Sequence, residues 1–260
     1  MALYNKGYGP VGCLAKPPVD LLLCFAVKEE MKFFRDPADG IPMRGKGAGA
    51  GRKEAVSSIR DRARDAGVTQ VWVTGIGRKN AASNIREALA KVRPERVITA
   101  GFAGGLNPTL KVATVIYEED FGAGFGQELE KLGALPAKFY CHRRVAITAA
   151  EKRLLYQQSG ADAVEMESSV IRTICHEFKV PSATVRVISD DASHDLPLDF
   201  NALMTSEDRI DYHKLFWTIL RRPSRIFRLM EFQQQTLAAA RQLGGVLEDL
   251  LRVERRRTDL

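Results

Sequence analysis

The chain has 260 residues, 45% apolar and 27% charged, a balance that supports a buried core and excludes a largely disordered polypeptide. Its net charge of +7 is compatible with anionic partners but selects none of them. The cysteines Cys13, Cys24, Cys141 and Cys175 are scattered without a CxxC pair, so neither a zinc site nor a disulfide framework is indicated, and reduced cytoplasmic thiols are the simpler expectation. The longest early apolar run falls far short of the about 20 residues a spanning helix needs, and no signal peptide is evident.

Residues 1–18 are Gly- and Pro-rich and read as an extended arm ahead of one domain over 19–260. Residues 19–27, VDLLLCFAV, are almost continuously apolar, as in a strand buried on both faces of a parallel sheet. Residues 28–34 read as a turn entering a helix and 36–51 as a loop. A helix is predicted over 52–66, with Ala55, Ile59 and Ala63 on one stripe. A short strand at 71–73 closes in Gly75-Ile76-Gly77, and a helix over 80–92 carries Ala81, Ile85, Leu89 and Val92. Strands are predicted at 97–100, closed by Gly101 to Gly105, and at 112–117, 145–148 and 182–188. Helices are predicted over 150–158 and 168–178, and a mostly helical extension over about 201–260 with a break at Pro223. Strands alternating with helices predict an α/β fold with a largely parallel sheet.

In such folds ligands bind at the carboxyl ends of the strands. Polar or glycine-rich turns fall there at Lys28-Glu29-Glu30, Gly75 to Gly77, Gly101 to Gly105 and Ser189-Asp190-Asp191, and Glu165 and Glu167 flank Met166 where a helix opens. Glycine lets a backbone approach a ligand closely, although the GxGxxG dinucleotide pattern fails at both Gly75 and Gly101. Each acid, taken alone, also suits a helix cap. Several acids at one sheet edge can instead supply a general acid and a general base.

The strings LLLCFAVKEEMKFF, VTGIGRKNAASN, VITAGFAGGLNPTLKV, ADAVEMESSVI and VRVISDDA, in this order, resemble the nucleoside phosphorylase superfamily, and within it the 5′-methylthioadenosine/S-adenosylhomocysteine nucleosidases. The resemblance covers roughly residues 20–200. It implies a three-layer α/β/α sandwich with a mixed, largely parallel central sheet. It also implies roles: Asp190 protonates N7 of the leaving purine, Ser189 and Arg186 position that region, and Glu30 activates water. Glu167 binds the sugar hydroxyls while Met166 packs on the ribose. Glu165, Phe102, Ala103 and Gly104 belong to the same pocket, and Phe200 lines the base or 5′ subsite. No metal or organic cofactor is implied, the partner is a small purine nucleoside rather than nucleic acid, and a homodimer is expected.

The chemistry suits these residue types. Breaking an N-glycosidic bond builds positive charge on ribose and negative charge on the base, so an acid at the base and a carboxylate at the sugar both stabilise the transition state. For Asp190 to carry a proton near neutral pH, burial or a neighbouring acid such as Asp191 has to favour its neutral form.

The sequence departs from the family at three places. Phe102 stands where the family usually has Ser or Thr, the segment between Glu118 and Glu165 is short, and the tail is long. An acid at Glu30 suits water better than phosphate, so hydrolysis is the favoured reaction. A phosphorylase is the alternative, with Arg78, Lys79, His142 and Arg143 as a candidate anion site. The tail LRRPSRIFRLMEFQQQTLAAARQLGGVLEDLL is similar to that of hopanoid-associated phosphorylase-like proteins, which implies an adenosyl-lipid as the alternative substrate. Such a basic amphipathic stretch lies on a membrane surface or packs on its own domain or another subunit, and packing is the favoured expectation. A non-catalytic nucleoside-binding protein is the remaining alternative; it has no need of an acid at N7.

Overall fold

The computed structural model describes residues 18–27, 30–35, 69–203, 205 and 225–258. The arm, the 36–51 loop, the helix predicted over 52–66 and the break at Pro223 lie outside the described residues.

The elements run in order: β1 (Pro18–Phe25), β2 (Thr69–Val73), α1 (Arg78–Lys91), β3 (Arg93–Gly105), β4 (Val115–Glu119), α2 (Gly126–Lys131), β5 (Leu135–Pro136) and β6 (Phe139–Cys141). They continue with α3 (Ala149–Ser159), β7 (Ala163–Glu165), α4 (Ser168–Glu177), β8 (Ser182–Asp190), α5 (Phe200–Leu203) and α6 (Arg225–Thr258). The described strands form one eight-stranded sheet in the order β2-β1-β3-β8-β4-β5, with β7 joined to β3 and β6. Five pairings are parallel and two, β3 with β7 and β4 with β8, are antiparallel.

The near-continuous apolar run of β1 is explained by burial on both faces. Leu22 and Cys24 face α1 and α4, meeting Ala81, Ile85, Ile171 and Ile174. Leu21, Leu23 and Phe25 face the other way, into a cluster with Val185, Val187, Leu129 of α2 and Leu243 and Leu247 of α6. Helices therefore cover both faces of a mixed, largely parallel sheet, and the fold is the α/β/α sandwich. The C-terminal helix is a structural layer of it. Ala239, Ala240, Leu243, Val246, Leu247, Leu250 and Leu251 are all buried, each leucine contributing about 1.5–3 kcal/mol of apolar burial. Packing on its own domain is thus what the second half of α6 does. Its first turns leave Ile226, Phe227 and Met230 exposed. No described helix is long and apolar enough to cross a membrane.

Four local expectations are corrected. Residues 30–33 form turns rather than the start of a helix. The strand predicted at 112–117 begins at Val115, because Ala113 takes a left-handed φ of 67° in the preceding turn. The glycines 101–105 do not close β3 but continue it, pairing Gly101 to Gly104 with β8 and Gly104 and Gly105 with β7. Residues 145–148 form no strand: Val145 exchanges both its backbone bonds with the Asn201 side-chain amide, each at 2.9 Å. Thr148 caps α3, its hydroxyl accepting the Glu151 N–H. A side chain thus does for residue 145 what a neighbouring strand would have done.

Candidate active site

β8 is buried along its length and ends at Asp190, the half-open last residue of the strand. Beside it, the register of β3 shifts between Ala103 and Gly104, and a Cβ at Gly104 would stand 3.2 Å from Val164 Cγ1 and 3.3 Å from Asp190 Oδ2. Glycine there lets the Asp190 carboxylate lie against the β3 backbone. A cavity of about 290 Å³ opens at this edge. Its walls include Phe102, Ala103, Gly104, Glu165, Met166, Glu167, Ser189, Asp190 and Phe200, so most of the residues predicted from sequence converge on one pocket. Glu30 and Arg186 are not among its lining residues; both lie buried beneath it.

Arg186, 3% exposed, is the cation that organises the buried layer. Its Nη1 donates to Thr99 O at 2.8 Å and Thr99 Oγ1 at 3.0 Å, and its Nη2 pairs with Glu165 Oε2 at 3.1 Å. Glu165 in turn caps α4. Its Oε2 accepts the N–H groups of Glu167 and Ser168, and its Oε1 accepts the Ser168 hydroxyl at 2.7 Å. Burial pushes the Glu165 carboxyl up, but Arg186 and the Ser168 donors outweigh it and hold it below the usual range. With both oxygens occupied, Glu165 holds the helix and the arginine in place under the pocket.

Glu167 is different. It occupies the N-cap position of α4, and its Oε1 accepts the Gly77 N–H at 2.7 Å. Gly77 can present that N–H because it sits at φ 83° in the turn after β2. Burial, and then the charge on Glu165, push the Glu167 carboxyl up to about 7. Glu30 is also pushed up, by burial against the opposing pull of Arg186 and of backbone amides. Its Oε2 accepts Ala26 N–H at 2.8 Å and Val27 N–H at 3.1 Å, and its Oε1 accepts Phe102 N–H at 3.1 Å. Three carboxylates thus gather around one guanidinium.

In the same pocket, Asp190 Oδ1 accepts the Ser189 hydroxyl at 2.6 Å, and Asp190 Oδ2 pairs with Lys152 Nζ at 2.6 Å. The sequence pointed to Asp191 as the neighbour of Asp190. Asp191 instead turns aside, its Oδ1 accepting from Ser193 and His194. The charged partner of Asp190 is therefore a cation from α3, not a second acid.

Residues missed by sequence reasoning complete the walls: Arg144, Val145, Ala146, Val164, Leu196, and Phe232 and Thr236 from α6. The Phe200 and Phe232 rings meet at 5.8 Å and 44°, so the C-terminal helix closes one side. None of Arg78, Lys79, His142 and Arg143 lines the cavity.

A family model for the phosphorylase superfamily matches residues 138–221. Among solved structures, the Campylobacter jejuni 5′-methylthioadenosine/S-adenosyl homocysteine nucleosidase matches with a TM-score of 0.59 at 14% identity, covering 89% of this chain and 98% of that one. The Neisseria meningitidis enzyme of the same name, in complex with methylthio-immucillin-A, gives 0.58 at 16% identity over 91% and 99%. Futalosine hydrolase of Helicobacter pylori gives 0.56 at 16% identity over 90% and 98%. At these identities the likeness is one of fold. Sheet order, covering helices and the pocket at the strand ends define a protein of the nucleoside phosphorylase architecture. The family-model match is confined to residues 138–221, and across the rest of the chain the likeness to these nucleosidases and hydrolases is one of fold.

Proposed function

We propose that the chain hydrolyses the N-glycosidic bond of a 5′-substituted adenosine and releases adenine. The observation that carries this reading is that Asp190 and Glu167 line one cavity at the strand ends, with the buried Glu30 carboxylate held against the backbone of its lining residue Phe102. Asp190 faces the base and delivers a proton to N7. Glu167 accepts hydrogen bonds from the ribose hydroxyls and stabilises the cationic sugar, with Met166 packed beside it. Glu30 takes a proton from the attacking water; its Oε1 has one backbone donor and keeps a lone pair for that purpose. Phe200 and Phe232 supply an apolar wall for the base or the 5′ group.

Hydrolysis is favoured over phosphorolysis because the sugar side is acidic: among the described residues its buried guanidinium, Arg186, already shares Glu165, Glu167 and Glu30. The solved relatives named for 5′-methylthioadenosine, S-adenosylhomocysteine and futalosine support a nucleoside as substrate. Arg144 on the pocket wall, paired with Glu151 at 2.7 Å, is the observation that favours phosphorolysis as the second reading. The test is base release from 5′-methylthioadenosine, S-adenosylhomocysteine and adenosine, with and without phosphate, for the native protein and Asp190→Asn. Adenine without phosphate, lost by about 10² to 10⁴ in the variant, is the expected result. Release only with phosphate makes the enzyme a phosphorylase, and no release from any of them removes the reading.

A further inference from the structure

Lys152 is a charged side chain with no exposure at all, 0%, reaching from α3 to the end of β8. Its Nζ has three acceptors: Asp190 Oδ2 at 2.6 Å, Asp191 O at 2.6 Å and His194 O at 3.0 Å. An ammonium has three N–H donors and no acceptor, so this cage satisfies the charged form completely. It satisfies the neutral amine equally. Two N–H groups then serve the two carbonyls, and the freed lone pair accepts a proton held on Asp190 Oδ2. The Ser189 hydroxyl permits the same exchange on the other oxygen. It lies 2.6 Å from Asp190 Oδ1 and 3.3 Å from Ala103 O, so it has a second acceptor when Oδ1 does not need its proton. A buried group is costly to leave unsatisfied. Here neither position of the shared proton leaves one.

We infer that Lys152 is the store of the proton that Asp190 passes to the leaving base, and that the Lys152–Asp190 pair, rather than Asp190 alone, is the acid of the site. The inference rests on the nucleosidase reading and deepens it. As the C1′–N9 bond breaks, its electron pair goes to the purine. An N–H bond of the Lys152 ammonium breaks as an O–H bond forms on Asp190, and that O–H breaks as N7–H forms, each electron pair staying on the donor atom. Water loses its proton to Glu30 as its oxygen bonds C1′. Lys152 ends as the amine. Once the base has left, water in the pocket returns a proton through Asp190 while Glu30 gives one up, restoring the starting state. Lys152 acts through Asp190 and does not touch the substrate.

The experiment compares two leaving groups in the full-length protein: adenine, which needs a proton at N7, and 4-nitrophenolate from a 4-nitrophenyl riboside, which leaves as an anion. Lys152→Met and Lys152→Arg are assayed beside the native protein. Arginine keeps the charge but cannot give up its proton. The expected result is that both variants release 4-nitrophenolate within about threefold of native while adenine release falls on the order of 10². Adenine release restored by Lys152→Arg overturns the inference, because charge alone then suffices. Parallel loss of both reactions in both variants overturns it too, since Lys152 is then only structural. A native protein that releases neither group removes the nucleosidase reading itself.

Discussion

The Glu30 carboxylate, in the turn after the first strand, accepts the backbone N–H of Phe102 from 72 residues further along the chain. The approach is possible because residue 101 is glycine: a Cβ there would collide with the same carboxylate. The residue that departs from the family pattern, Phe102, therefore contributes its backbone to Glu30 rather than a hydroxyl to the pocket.

Gly101→Ala is expected to displace Glu30 and to cost about 1–3 kcal/mol, the usual penalty for overpacking a buried site. Urea unfolding measures the stability, and turnover of 5′-methylthioadenosine measures the displacement. A variant with unchanged stability and unchanged turnover contradicts this geometry.

Glu167 predicts a trade between stability and activity. Its folded value is raised from 4.5 to about 7, chiefly by burial. A carboxyl raised in the folded state contributes stability that is fully present below the unfolded value and is lost as pH rises through the folded one. Glu167→Gln removes that dependence. The stability of the variant relative to native should grow, by on the order of 3 kcal/mol, between pH 4.5 and somewhat above 7. On the proposed reading, in which the sugar hydroxyls need the carboxylate, activity runs the other way: native kcat/KM is expected to rise with pH through about 7, and the variant to be poor throughout. Parallel pH–stability curves for the two proteins would disprove the assignment.

Removing Arg186 should be costly out of proportion to its size. Arg186→Met leaves Glu165 without its cation in a buried layer, and an uncompensated buried charge costs about 3–5 kcal/mol. Adding Glu165→Gln should recover part of that loss. Strictly additive losses in a double-mutant cycle would show that the pair is not coupled.

Phe232 should act on binding rather than chemistry. It reaches the pocket from α6 and meets Phe200 there, and such aromatic contacts are worth about 0.5–1.5 kcal/mol. Phe232→Ala is expected to raise KM by up to about tenfold while kcat stays within about twofold. A fall in kcat alone would place Phe232 in the chemical step.

Leu247 tests the tail as a layer of the fold. It is fully buried against the sheet, and truncation of such a leucine costs about 2–5 kcal/mol. A melting temperature unchanged in Leu247→Ala would mean that α6 is dispensable.

What the sequence carried by itself was most of the strand pattern and the short motifs whose residues line the cavity. The continuous apolar run of β1 followed from burial on both faces, and the resemblance carried by VEMES and VISDD pointed to Glu167, Met166, Ser189 and Asp190, all of which line the one cavity. Tertiary structure decided the partners. Lys152 lies 38 residues before Asp190 on a helix whose local pattern marks it only as a surface cation, and nothing short of chain packing brings its ammonium to that carboxylate. The same holds for Phe232, which reaches the pocket from α6, and for Glu165, whose oxygens are taken by α4 and Arg186. Even the extent of β3 was a tertiary matter. Its glycines signal a turn when read along the chain, yet β8 and β7 on either side pair with that backbone and keep it a strand. Periodicity reports which face is buried; which atoms meet there depends on contacts between segments far apart in sequence.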